Sequence, residues 1–272
     1  MTQEFFLQNV QIVNVRNITF RKNRFTTYYF SKGFAFYVPG FGYMRFKTDD
    51  KPYVLSTKKW LQAILDAGVD VITLGNHTWT RTELRPYLDE RNRILRPANC
   101  APQCPGRGVG VYSRDFGDVV VMNLMGKFTL DANTDNPFVV ADDYFQQFKE
   151  KIILVDFHAE ATSEKVAMGH FLDGRVSAVW GTHTHVPTAD ARVLPKGTGY
   201  VTDLGMTGPR HSVLGIRPEL SIAKFRGDLT ERYRWADGPT KLEGVLFTID
   251  SATGKCLRVE RVDESDENSA HR

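Results

Sequence analysis

Long apolar runs are missing from this 272-residue chain. None approaches the roughly 20 residues needed to span a bilayer, so no membrane helix is expected. The start, MTQEFFLQNVQIVNVRN, has no basic opening, apolar centre or small-residue cleavage site of a secretory signal. Cysteine is scarce as well. Cys100, Cys104 and Cys256 make an odd count, unlike a disulfide framework, and suggest a reducing, cytoplasmic setting. Cys100 and Cys104 flank Pro102 in a loop, and no other cysteine pair exists to complete a zinc site; they read as loop thiols. A large excess of one charge is also absent. The net charge of +3 is too mild to argue for nucleic acid, although it would not oppose a phosphate substrate. No internal repeat is evident. What is present, 42% hydrophobic and 25% charged residues, is ordinary for a soluble globular protein with a sizeable core.

The first ~50 residues differ in composition from the rest. Aromatics crowd this stretch (Phe5, Phe6, Phe20, Phe25, Tyr28, Tyr29, Phe30) beside Arg16, Arg21, Lys22 and Arg24. Interleaved basic and aromatic side chains can form a nucleic-acid platform; an irregular segment is the blander reading. Val10 to Val15 and Phe34 to Val38 read as strands, but no capped helix follows either.

From Ser56 the pattern becomes regular. Ser56 can cap a helix running through Trp60, Leu61, Ile64 and Leu65, with Gly68 just past its end. VDVITL (69–74) is a buried strand, and a helix with Leu84 and Leu88 inward follows. Val109 to Tyr112 and Val119 to Leu124 are strands around a Phe116-Gly117-Asp118 turn. Pro137 to Lys149 reads as a helix, KIILVDF (151–157) as a third strong strand, and Ala161 to Leu172 as a helix. Ala178, Val179 and Trp180 form another buried strand, followed by Tyr200 to Asp203 and a glycine-rich loop from Gly205 to Gly215. Leu242 to Asp250 and Lys255 to Val262 form a hairpin. Strands alternating with helices imply a layered α/β fold.

The chemistry gathers at strand ends. Asn76 and His77 follow one buried strand, His158 a second, and His183 and His185 a third. In an extended segment the two-residue spacing of His183 and His185 would put both imidazoles on one face. Parallel sheets bring such ends to one crevice. Four histidines and an Asn there could hold two divalent metals and clamp a phosphoryl group. Imidazole with amide or carboxylate oxygen suits iron, manganese or zinc better than calcium.

GNHTW (75–79), RPAN (96–99), DFHAEATSEK (156–165), GTHTHVPTAD (181–190), LPKGT (194–198) and TDLGMTGP (202–209) resemble the YmdB-like metallophosphoesterases of the calcineurin-like superfamily, over roughly residues 56 to 262. The resemblance implies a four-layer α/β/β/α sandwich and hydrolysis of phosphodiesters such as 2′,3′-cyclic nucleotides by a hydroxide activated between two metals. The ions would be iron or manganese first, with magnesium or zinc as alternatives. Carried over by motif, Asn76, His158 and His183 would bind one ion and His185 the other, with His77 the general acid. Glu160 is a candidate to support a metal ligand from behind. The resemblance assigns no metal to His170 or His211. Metal amidohydrolases also use His-x-His, but on their first barrel strand; here the pair comes late.

The departures lie at the start. The family opens with a Gly-Asp-Val/Ile motif whose Asp binds metal, and a second motif, Asn-x-Glu-Asn, supplies a bridging Glu and an Asn. No Gly-Asp precedes Ser56, and the nearest echo of the second motif, Val13 to Asn17, puts Arg16 where the Glu belongs and leaves Asn17 as a ligand. Three readings follow: a mis-read start fused to an intact remainder, a catalytically impaired paralogue acting as a nucleotide- or RNA-binding module, or replacement of the missing ligand by Asp49 or Asp50. The expected organisation is one domain over 1–262, with 1–55 divergent, and an acidic disordered tail over 263–272. Expected partners are a small cyclic nucleotide or other phosphodiester, RNA ends, and a second copy in a homo-oligomer.

Overall fold

Three apolar strands, each buried along its whole length, carry the fold. The computed structural model describes residues 10–13, 28–30, 33–38, 42–45, 62, 65, 69–79, 82, 84–130, 133–148, 150–228 and 232–265. In chain order the strands are β1 (Val10–Val13), β2 (Tyr28–Phe30), β3 (Gly33–Val38), β4 (Gly42–Arg45), β5 (Val71–Leu74), β6 (Ile94–Leu95), β7 (Val109–Arg114) and β8 (Gly117–Met125). They continue with β9 (Ile152–His158), β10 (Ala178–Thr182), β11 (Arg192–Val193), β12 (Gly199–Val201), β13 (Gly208–Pro209), β14 (Thr240–Ile249) and β15 (Cys256–Ser265). The helices are α1 (Leu84–Glu90), α2 (Pro137–Phe145), α3 (Thr162–Leu172) and α4 (Pro218–Arg226).

The chain divides into two compact units within what was expected to be one domain. The first holds residues 1–16, 55–205 and 245–261. Its main sheet has six strands in the order β11-β12-β10-β9-β8-β7, with β8, β9, β10 and β12 parallel. Both faces of that sheet are covered, which is why its strands read as unbroken apolar runs rather than alternating ones. On one face Val120, Met122, Leu124, Val155 and Phe157 pack with Ala141 of α2 and Met168 and Leu172 of α3. On the other, Val119, Val121, Ile152, Leu154 and Trp180 meet Val71 of β5, Leu95 of β6 and Phe247 of β14. The opposite side of β5, Ile72 and Leu74, packs on Leu84, Tyr87 and Leu88 of α1. Helix, sheet, sheet and helix therefore stack in four layers, as the resemblance implied.

β5 pairs parallel with β6 and antiparallel with β1. Val13 lies opposite Val71 and Val10 opposite Leu74, so the last residue of β1 sits at the end of β5 remote from Asn76. The opening βα unit is thus atypical. The second unit, residues 17–54, 206–244 and 262–272, contains the antiparallel meander β2-β3-β4 and helix α4, which starts on Pro218 and stops at Gly227 in the left-handed region (φ 84°).

Boundaries differ from expectation in a few places. α2 begins as expected, with Asn136 Oδ1 accepting from Phe138 N (2.9 Å), but ends at Phe145. There the chain tightens into a Gln147 N to Tyr144 O bond (2.9 Å). β15 runs through Ser265, so Asp263, Glu264 and Ser265 of the expected tail belong to a strand. Of the helix expected from Ser56, Gln62 and Leu65 are helical, and the remainder lies outside the described residues. Arg16, Asn17, Asp49 and Asp50 lie outside them too.

Candidate functional site

The C-terminal ends of β5, β9 and β10 meet at His158. This imidazole, the last residue of β9, is fully buried, and its orientation is fixed from beneath. Thr182 Oγ1 donates to Asp156 Oδ1 (2.9 Å), and Thr73 Oγ1 donates to Asp156 Oδ2 (2.6 Å). A hydroxyl has one hydrogen. Having given it to Asp156, Thr182 can only accept from His158 Nδ1, 3.0 Å away. His158 therefore carries its proton on Nδ1 and presents the Nε2 lone pair outward. Burial pushes the Asp156 carboxyl up to about 6, with the two threonine hydroxyls opposing the rise, so it is ionised and able to accept at neutral pH.

His158 Nε2 faces Asn76 Oδ1 at 3.0 Å and His183 Nδ1 at 3.1 Å. His183 Nε2 lies 3.0 Å from Glu160 Oε2, which holds the His183 proton on the far nitrogen. The two rings stand edge to face, 4.8 Å apart. Three lone pairs consequently converge with no proton assigned between them. Burial first, then neighbouring cationic groups, holds His158 well below the ordinary histidine range, and burial also lowers His183 despite Glu160. Two neutral imidazoles and an amide oxygen are a donor set for a divalent transition ion. Two donors about 2.1 Å from an ion and at right angles to each other lie about 3.0 Å apart, close to the spacings found here. The polar partner on the second ring nitrogen of each histidine is the support that metal-bound histidines use.

His183 and His185 sit beyond β10, not in it. Their φ angles are 106° and 63°, so the shared face of an extended segment does not apply; a sharply turned loop places them instead. Left-handed backbone at two non-glycine residues is strain of the kind that collects at functional sites. His185 Nε2 is buried with no hydrogen-bond partner among the described residues, and burial takes this imidazole down to about 4. An orphaned buried nitrogen of this kind fits a ligand to an ion. His77 is half-buried, lowered by burial, and near enough to act electrostatically on His158, His183 and His185. The site thus joins Asn76, His158, His183 and Glu160 directly, with His77 and His185 beside them. Among the described residues, no group of three or more His, Cys, Asp or Glu is arranged to hold an ion without the amide.

Close approach explains the glycine before Asn76. A Cβ on Gly75 would lie 2.2 Å from His158 Cε1 and 2.3 Å from Nε2. Gly75→Ala is expected to push the ring away from Asn76 and weaken Mn²⁺ binding roughly 10–100-fold while circular dichroism stays unchanged; calorimetric titration checks it.

Sequence reasoning passed over the support beneath the loop. Lys165 and Asp203 are each 1% exposed and pair at 2.7 Å. Both lie in quoted motifs, DFHAEATSEK and TDLGMTGP, but helical spacing gives no sign that a lysine in the first turn of α3 points inward.

The model of the "YmdB-like protein" family matches residues 55–262, about three quarters of the chain. The chain belongs to the YmdB-like family. A Bacillus subtilis (strain 168) relative named 2′,3′-cyclic-nucleotide 2′-phosphodiesterase is 44% identical over 208 residues, covering 76% of this chain and 78% of its own. A crystal structure of a novel phosphatase from Mycoplasma pneumoniae superposes with a TM-score of 0.71 at 37% identity, covering 78% of this chain and 77% of the other. A hypothetical protein from Thermus thermophilus gives the same score and identity, covering 78% and 82%. The YmdB-like family is thus one of phosphodiesterases and phosphatases, enzymes of phosphoester hydrolysis. Among the described residues no helix is long and apolar enough to cross a membrane.

Proposed function

We propose that the chain is a metal-dependent phosphodiesterase acting on small phosphodiesters, 2′,3′-cyclic nucleotides among them. The observation that carries the reading is the convergence of Asn76 Oδ1 and His183 Nδ1 on His158 Nε2, at 3.0 and 3.1 Å. These three residues would hold one divalent ion, iron or manganese by donor type, with His185 as the ligand nearest a second. Such an ion supplies Lewis-acid polarisation of the phosphoryl group and makes a bound water easier to deprotonate. The rest falls to side chains. Glu160 and Thr182 orient the two ligating imidazoles, and the buried layer beneath them shields the site from water.

His77 would act as general acid. Its burial favours the neutral form in the free protein, and the negative charge of an entering phosphodiester favours the imidazolium again. Oxygen from water forms the new bond to phosphorus as one of its protons passes to solvent, the bond to the 2′-oxygen breaks, and His77 delivers its proton to that oxygen. Localisation in the cytoplasm, RNA ends as substrates and a homo-oligomer belong to the same proposal. In the test, chelator-treated protein is assayed on 2′,3′-cyclic AMP with and without Mn²⁺. Turnover that vanishes with chelator and returns with Mn²⁺ is expected. Turnover indifferent to both sinks the reading.

One observation favours a second reading, a catalytically impaired nucleotide- or RNA-binding paralogue. The sequence has no Gly-Asp before Ser56 and has Arg16 in the place of a bridging Glu. In that case the same assay shows no turnover with or without Mn²⁺, while calorimetric titration still shows ion and nucleotide binding.

A further inference from the structure

The loop that carries His183 and His185 in left-handed backbone is hydrogen-bonded to a buried carboxylate, Asp203. Asp203 Oδ2 accepts from Lys165 Nζ (2.7 Å), from Thr184 Oγ1 (2.8 Å) and from Thr184 N (3.1 Å), while Asp203 Oδ1 accepts from Gly205 N (3.0 Å). The Asp203 backbone fastens the other end of the loop: its N–H donates to Thr188 Oγ1 (2.9 Å), and its carbonyl accepts from Thr188 N (3.2 Å). His185 lies between these two anchors, and His183 directly before the first. Leu204 N donating to Gly181 O (3.0 Å) continues the attachment to the end of β10.

We propose that Asp203, charge-balanced by Lys165 and reaching the loop through the Thr184 hydroxyl, is a positioning residue that fixes where His183 and His185 point. Neither residue touches the converging lone pairs. Their role is to make a strained loop the most stable one, so that the imidazoles are in place before any ion arrives. The four donors on one carboxylate are more than charge balance alone requires: Lys165 satisfies the charge, two come from Thr184 between the two histidines, and Gly205 N closes the turn that follows Asp203. The functional consequence depends on the proposed metal role of the two histidines.

Thr184 allows a test that spares the buried ion pair, because its side chain is only half-buried. In the full-length protein without metal, ¹⁵N relaxation of residues 183–186 and Mn²⁺ titration are compared for wild type, Thr184→Val and Thr184→Ser. Wild type is expected to show order parameters near ~0.85 across the loop, with Thr184→Val falling below ~0.6. The valine variant is expected to bind Mn²⁺ roughly tenfold more weakly, as for losing a hydrogen bond to a charged group. Thr184→Ser, which keeps the hydroxyl, is expected to recover both. A valine variant as ordered as wild type, or a serine variant as loose as valine, overturns the inference. If wild type itself takes up no Mn²⁺, the metal reading fails on its own, and the order parameters still decide whether Asp203 sets the loop.

Discussion

Replacing His77 with alanine is expected to lower kcat on 2′,3′-cyclic AMP by about 10²–10⁴-fold and to leave the metal content as it was. The size follows from the role. A positioned acid removes the need for the 2′-oxygen to leave as an alkoxide, and that assistance is lost whole when the imidazole goes. The separation of effects follows from the geometry. Asn76 Oδ1 and His183 Nδ1 lie 3.0 and 3.1 Å from His158 Nε2, and the two imidazoles are oriented from behind by Thr182, backed by Asp156, and by Glu160. Steady-state kinetics beside elemental analysis read both quantities in one preparation. A variant that loses its metal along with its turnover would make His77 a ligand or a packing residue instead of the acid.

The largest expected loss of stability is at Lys165. Lys165→Met keeps most of the apolar stem but leaves Asp203 as a buried carboxylate without its cation, both groups being 1% exposed in the wild-type protein. Removing one partner of a buried pair costs about 3–5 kcal/mol, readable as a lowered midpoint in urea. Combining it with Asp203→Asn is expected to return part of that loss, because the uncompensated charge is gone. A purely steric role for the lysine stem, whose Cδ would lie 2.6 Å from a Cβ placed on Gly181, predicts no such recovery.

Much of this was legible in the chain itself. Buried runs such as KIILVDF and VDVITL announced strands covered on both faces, and β9 and β5 are those strands. The residues at their ends, His158 and Asn76, are brought together across two different sheets. What periodicity could not show was how His183 and His185 are placed. Alternation along a strand was the available rule, yet β10 stops at Thr182 and positive φ angles take over. Nor could spacing show the inward turn of Lys165, since a charged residue in the first turn of a helix ordinarily faces water. The polar relay from Asp156 through Thr182 to His158 was hidden for a related reason: its members come from two neighbouring strands and meet only through sheet register, in which Trp180 stands opposite Asp156 and Thr182 opposite His158. Long-range pairing of that sort leaves no local trace. The amino-terminal stretch is different in kind, because there the sequence itself departs from the family pattern.

The most direct test of the proposed centre is metal content per chain, measured on protein loaded with Mn²⁺ and desalted, for wild type and for His158→Asn. His158 Nε2 is the atom shared by both short contacts, so its loss removes the centre of the donor set. The expected result is at least one tightly held ion per chain in wild type and a drop to background in the variant. Wild-type protein at background, or a variant that keeps its ion undiminished, would contradict a metal site built on Asn76, His158 and His183.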